Sequence, residues 1–264
     1  MIVVDTHAHF HPHCDLDEFL TGAYRNLAKA ARAVDHAPPF YAVLFVAGIE
    51  THALAAIKER PSSLRWQLRS TAETNSILAQ ASEGHQLVMV LGHQVISEEG
   101  LEILGFTPHR TVPAGLPVDQ IIARIRASKG IAIIPWGFGK WMGRRKSLVV
   151  RLVETWHNNF SIGDNGGRSL FFSSAAIFKK ARQKGIRILP GSDPLPIRGE
   201  TKRIGTCGFC INGRLDLDRP LAHIIQTLRL PHQEVRLFAR HANPIEFVIK
   251  QVMLRLSMFK MSLP

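Results

Sequence analysis

The chain has 264 residues, 45% of them hydrophobic and 20% charged, so it can bury a sizeable core, and no apolar run reaches the ~20 residues that crossing a bilayer requires. No basic stretch followed by an apolar one opens the chain, and three cysteines are an odd, sparse count. A secretion signal is therefore not expected, and free thiols in a reducing, cytoplasmic compartment are. A net charge of +12 favours anionic partners, although no helix-turn-helix or RNA-binding signature accompanies it and nucleic acid lacks a motif.

In chain order, "MIVV" is a first strand leading into "DTHAHFHPHC". Leu16, Phe19, Leu20, Ala23 and Leu27 recur at helical spacing over 15–34, and Pro38-Pro39 ends that helix. "YAVLFVAG" (41–48) is a buried strand, and "THALAAIKER" a helix stopped by Pro61. "LRWQLRS" (64–70) alternates like a strand, and "AETNSILAQASEG" is predicted helical with Gly84 as its C-cap. "HQLVMVLG" (85–92) is a strand. Two short β runs around "SEEG" then predict a hairpin over 93–106. A helix over 118–130, a strand over 131–137 and a helix over 147–156 come next, then a short strand at 159–168. An amphipathic helix over 173–185, a strand in "IRILPGSDPLP" and helices near 219–229 and 244–259 complete the chain. About seven strand–helix units without a G-x-G-x-x-G turn predict a single (β/α) barrel rather than a dinucleotide-binding sheet. The barrel spans roughly 1–200, and 201–264 packs on it.

Catalytic groups of such barrels stand at the C-terminal ends of the strands. His7 and His9 follow the first strand, and two residues apart on an extended chain their rings face the same side. Asp193 follows a later strand, where a carboxylate at the rim calls for a cation or donors. Imidazole and carboxylate together suit zinc, manganese or iron, so these three are the expected metal ligands. Glu102 and Asp164 are further carboxylates near the same rim. Lys140, Arg144 and Arg145 in "KWMGRRK", and Arg168, are candidates for holding an anionic substrate. Phe138, Trp136 and Trp141 are expected to pack beside that loop. His11, His52 and His93 are candidates for moving a proton. Cys207 and Cys210 form a lone C-x-x-C, read as structural or incidental.

"DTHAHFHP", "GHQVISEEGLEILGF" and "LPGSDPLP" resemble the PHP (polymerase and histidinol phosphatase) domain family, within reach of the metal-dependent amidohydrolases, over roughly residues 1 to 200. The resemblance implies a distorted seven-stranded β/α TIM-like barrel, up to three zinc, manganese or iron ions, phosphoester hydrolysis, and His7, His9 and Asp193 as ligands. The sequence departs from that pattern elsewhere. Glu50 and His52 stand where Asp-His is usual, and Gly92-His93-Gln94 replaces Gly-x-Glu. Glu102 stands for a histidine, Trp136 follows "IIP" in place of His-Pro, and Asp193-Pro194-Leu195 replaces Asp-x-His. One or two divalent ions are therefore expected, with hydrolysis of a small anionic substrate, a phosphoester first. The alternatives are an amidohydrolase-type C–N hydrolase, or a catalytically silent barrel that binds an anionic ligand or a partner protein.

Overall fold

The computed structural model describes residues 1–11, 14–34, 39–48, 65–137, 139–156, 159–169, 175–197, 199–239, 243–245, 247–250 and 252–253. In chain order the elements are β1 (Ile2–Ala8), α1 (Leu16–Val34), β2 (Tyr41–Val46), β3 (Trp66–Ser70), β4 (Ser76–Ala81), β5 (Gln86–Leu91), β6 (His93–Ile96), β7 (Glu102–Phe106) and α2 (Val118–Ala127). They continue as β8 (Ile131–Pro135), α3 (Arg144–Thr155), β9 (Ser161–Asn165), α4 (Ala175–Gln183), β10 (Ile188–Gly191), a 3-10 turn (Glu200–Arg203), β11 (Gly208–Ile211), α5 (Pro220–Arg229) and β12 (Arg236–Phe238).

These strands build two mixed sheets, which overturns the expected (β/α)7 barrel; no closed barrel exists among the described residues. One sheet has seven strands in the order β12-β11-β1-β2-β5-β4-β3, the other five in the order β10-β9-β8-β7-β6. β1, β2 and β5 run parallel, as do β8, β9 and β10. The β3–β4–β5 meander and the β6–β7 hairpin are antiparallel, as are the pairings of β11 with β1 and β12. A parallel barrel needs a crossover between every pair of neighbouring strands. Direct hairpin connections interrupt that winding, and the sheets pack face to face instead.

Period-two alternation shows why both faces are apolar. From β1, β2 and β5, the residues Ile2, Val4, Val43, Phe45, Val88 and Val90 meet Leu104, Phe106, Ile133 and Leu189 of the second sheet in one core. The Phe45 and Phe106 rings lie 4.7 Å apart across it. The alternate residues Val3, Ala42, Leu44, Leu87 and Met89 pack under α1. Ile103, Ala132, Ile134, Ile162 and Ile188 pack under α2, α3 and α4. Burial on both faces explains the nearly unbroken apolar runs. Leu221, Ile224, Ile225 and Leu228 of α5 fill the same inter-sheet core. α5 covers the end where β8, β9 and β10 begin, so the end where they finish is left to polar residues.

Two local expectations change. The segment expected to be helical around 72–84 forms β4, whose Ile77, Ala79 and Ala81 pack under α1 while both its edges pair with strands. Tertiary pairing overrides its alanine-rich propensity. Gly84, at φ +83°, closes the β4–β5 turn rather than a helix. The α3 helix begins at Arg144, so Arg144, Arg145 and Lys146 form its first turn and not a free loop. The hairpin expected over 93–106 is present as β6 and β7. No helix among the described residues is long and apolar enough to cross a membrane.

Candidate metal centre

The register of β1 shifts at its C-terminal end. Asp5 pairs with Leu44 and Ala8 with Val46, so three steps on β1 oppose two on β2. Such a bulge moves the following side chains to the opposite face. Ala8 therefore joins the core under α1, while His7 and His9 point into the space between the sheets. There the rings meet edge to face with centroids 4.8 Å apart.

β10 brings the carboxylate. Gly191 lies so close to β1 that a Cβ there would sit 2.4 Å from both the Cβ and the N of His7, so only glycine admits the approach. After it, the Ser192 amide donates to Asp5 Oδ1 at 3.0 Å and the Asp193 amide to the His7 carbonyl at 2.7 Å. The Gly205 amide donates to Asp5 Oδ2 at 2.7 Å, and the His7 amide to Asp5 Oδ1 at 3.0 Å. Asp193 itself takes the left-handed backbone conformation, φ +44°, which aspartate tolerates better than most residues. Asp193 Oδ1 thereby lies 3.5 Å from His7 Nε2 and 3.3 Å from His9 Nε2.

The hydrogen bonds behind these groups determine which nitrogen carries the proton. The Asn165 Nδ2 amide donates to Asp193 Oδ2 at 2.6 Å and to the Trp136 carbonyl, so its Oδ1 is an acceptor. His7 Nδ1, 3.4 Å from that Oδ1, is the donor. His9 Nδ1 donates to the Ala47 carbonyl at 3.1 Å. Both rings therefore turn Nε2 toward the same carboxylate oxygen, where each offers a lone pair when neutral. His7 Nε2 is buried and has no hydrogen-bond partner.

Two lone pairs and a carboxylate facing one another repel unless a proton on an imidazole or a metal ion lies among them. Burial opposes charge on Asp193, yet His7, His9 and Lys140 hold its carboxyl below the usual carboxylate range. Burial lowers the pKa of His7. In His9 burial pulls downward too, but the hydrogen bond and charge of Asp193 prevail and raise it. Burial raises Asp5 to about 6, against the amide hydrogen bonds it accepts.

The donor set fits a divalent ion. The three ligand atoms lie within 4.8 Å of one another. A tetrahedral site with bonds of about 2.0–2.2 Å places neighbouring ligand atoms about 3.3–3.6 Å apart. Both carboxylate–imidazole separations, 3.5 and 3.3 Å, fall in that range, while the group as a whole spreads to 4.8 Å. His7 is almost fully enclosed, whereas the side chains of His9 and Asp193 are 16% and 24% exposed, which leaves an approach from one side.

The other expected site residues fall in different places. His11 stacks on His9 at 5.6 Å, and its Nε2 donates to the Pro194 carbonyl at 3.2 Å, so it borders the centre. Glu102 shares the inward face of Leu104 and Phe106 and acts electrostatically on both histidines, while its Oε2 pairs with the Lys140 ammonium. Lys140 is thus paired with Glu102.

Asp164 is one residue out of phase. It shares the outward face of Ile162, and both its oxygens are held by the buried Arg168 guanidinium at 2.6 and 2.8 Å. That fork replaces the expected metal and substrate roles of the two residues. Arg145 donates to the Gly139 carbonyl at 2.9 Å, and Arg144 is exposed at the start of α3. His93 lies on the outward face with Val95, and Gln94 takes the inward one. Trp136 and Trp141 pack in the core under the helices. His52, Glu50 and Phe138 lie outside the described residues. Cys14, Cys207 and Cys210 are buried thiols that form no disulfide.

Asn165 escaped the sequence analysis as a site residue. The signal for Asn165 was the alternation of β9 itself, which places Ser161, Gly163 and Asn165 on one face.

The fold and site together define an α/β protein of two facing mixed sheets with a His-His-Asp group able to hold a metal ion. No family model matches the chain, and no curated protein matches it. Among solved structures it is similar to PsfC from Pseudomonas syringae PB-5123, at 13% identity and a TM-score of 0.52. That likeness covers 97% of this chain and 98% of PsfC, and at such identity it shows the fold alone.

Proposed function

We propose that this protein is a metal-dependent hydrolase of anionic esters, phosphoesters first, with His7, His9 and Asp193 holding a divalent ion of the zinc, manganese or iron type. The observation that carries this reading is the convergence of two imidazole Nε2 atoms on one carboxylate oxygen, with each ring's other nitrogen committed to an acceptor. The resemblance of "DTHAHFHP" and "LPGSDPLP" to PHP domains supports it, since these two separate motifs supply the three converging residues. A divalent ion held there would supply hydroxide from bound water near neutral pH and polarise the ester oxygen. Asn165 orients His7 and Asp193 together. His11, bordering the centre, is placed to pass a proton to or from the leaving group. Lys140 adds positive charge beside Asp193, which suits an anionic substrate.

The test strips the purified protein of metal and reloads it with zinc, manganese or iron. Bound metal is measured by mass spectrometry, and turnover with p-nitrophenyl phosphate, a phosphodiester and an anilide. Stoichiometric uptake and metal-dependent phosphoester cleavage, both lost in His7→Ala, are expected. A wild-type protein that takes up no ion, or uptake unchanged in His7→Ala, would overturn the proposal. Cleavage of the anilide alone would favour C–N hydrolysis.

A further inference from the structure

The Glu102 carboxylate raises a question of charge. Its side chain is 6% exposed, its Oε1 is buried without a hydrogen-bond partner, and its field reaches both His7 and His9. Gln94 stands on the neighbouring strand opposite Leu104, hence on the same face as Glu102 and diagonal to it, within reach for long side chains. Its Oε1 is buried and unpartnered too. Two buried, unpartnered acceptor oxygens on one face, one of them on a carboxylate whose field reaches the histidines, form the beginnings of a second cation site, and a buried carboxylate needs a counter-charge.

Lys140 supplies that counter-charge. Its Nζ pairs with Glu102 Oε2, and it also acts on Asp193. It is not a loosely placed surface lysine. Its backbone closes a turn on the Gly137 carbonyl at 3.0 Å, and its stem crosses Gly137 so closely that a Cβ there would lie 2.4 Å from Lys140 Cδ. A glycine at 137 opens the path, and the ammonium arrives where a second metal ion would otherwise balance Glu102.

Resting on the metal reading above, we propose that Lys140 takes the place of a second cation, so that this centre holds one divalent ion and not two. A fixed positive charge beside Glu102 repels a further divalent ion and occupies one of its carboxylate oxygens. The restriction lies in a single replaceable side chain.

The experiment measures bound Mn²⁺ per chain by mass spectrometry and its spin coupling by electron paramagnetic resonance. Wild type, Lys140→Arg, Lys140→Met and the double variant Lys140→Met/Glu102→Gln are compared. One uncoupled ion is expected in wild type and Lys140→Arg, two coupled ions in Lys140→Met, and one again in the double variant. Lys140 is 42% exposed at its side chain but Glu102 only 6%, so circular dichroism of each metal-free variant checks that the fold is kept. Two ions in wild type would overturn the inference and leave the hydrolase reading intact, as would a single ion in Lys140→Met. No ion in wild type would overturn both.

Discussion

Gly191→Ala tests the contact on which the centre depends. The new Cβ would lie 2.4 Å from His7 Cβ and N and 2.8 Å from His7 Cα, about an ångström short of ordinary contact. β1 lies between β2 and β11 and cannot withdraw, so β10 must move. The Asp193-to-His7 and Ser192-to-Asp5 hydrogen bonds would then break. Overpacking costs about 1–3 kcal/mol and each lost bond about 1 kcal/mol, together roughly 3–5 kcal/mol. An unfolding entropy of about 2.1 cal/mol/K per residue gives roughly 0.55 kcal/mol/K for this chain, hence a Tm lower by about 5–9 °C. Scanning calorimetry of the metal-free protein reads the shift. Gly22→Ala, in α1 with no atom within 4 Å of the new Cβ, is the control and should raise Tm slightly. Gly191→Ala should also weaken metal uptake, because His7 and Asp193 lose register. A variant melting within about 1 °C of wild type would refute the close-approach argument.

Three further predictions concern residues away from the ligands. Glu73 is buried, accepts the Leu221 and Ala222 amides at 2.9 and 2.8 Å, and so caps α5 from a distant loop. Glu73→Ala should cost about 2–4 kcal/mol in urea unfolding, and a loss below about 1 kcal/mol would mean that water replaces the cap. Asp164→Ala removes the carboxylate fork from the Arg168 guanidinium beside Phe178, which should cost about 1–3 kcal/mol while metal stoichiometry stays at the wild-type value. Loss of the ion with stability intact would return Asp164 to the ligand set. Burial raises the Cys210 thiol to about 11, so it stays protonated and unreactive at pH 8. A thiol reagent should therefore find Cys210 and its two buried companions only after denaturation, and rapid labelling of the native protein would contradict their burial.

The chemistry of the centre was legible locally. His-x-His after an apolar strand and Asp193 in a Gly-Ser-Asp-Pro turn could be singled out, because strand alternation and strand ends are properties of short segments. The same alternation misled at β9, where Asp164 drew attention as a carboxylate but faces outward, and its neutral neighbour Asn165 faces the ligands. It misled at β6 as well, where His93 and not Gln94 was singled out. Which face is inward depends on the partner sheet, and no single strand encodes it.

Apolar strands, most helices, the β6–β7 hairpin and the ligand types follow from the amino-acid sequence by itself, since hydrophobic periodicity and turn chemistry act over a few residues. The choice between a barrel and two facing sheets, the helix-or-strand outcome at β4, and the bulge that turns His7 and His9 inward were decided by tertiary structure. Each depends on hydrogen bonds and contacts between distant segments, and an apolar run fits any buried sheet face equally well until its neighbours are in place.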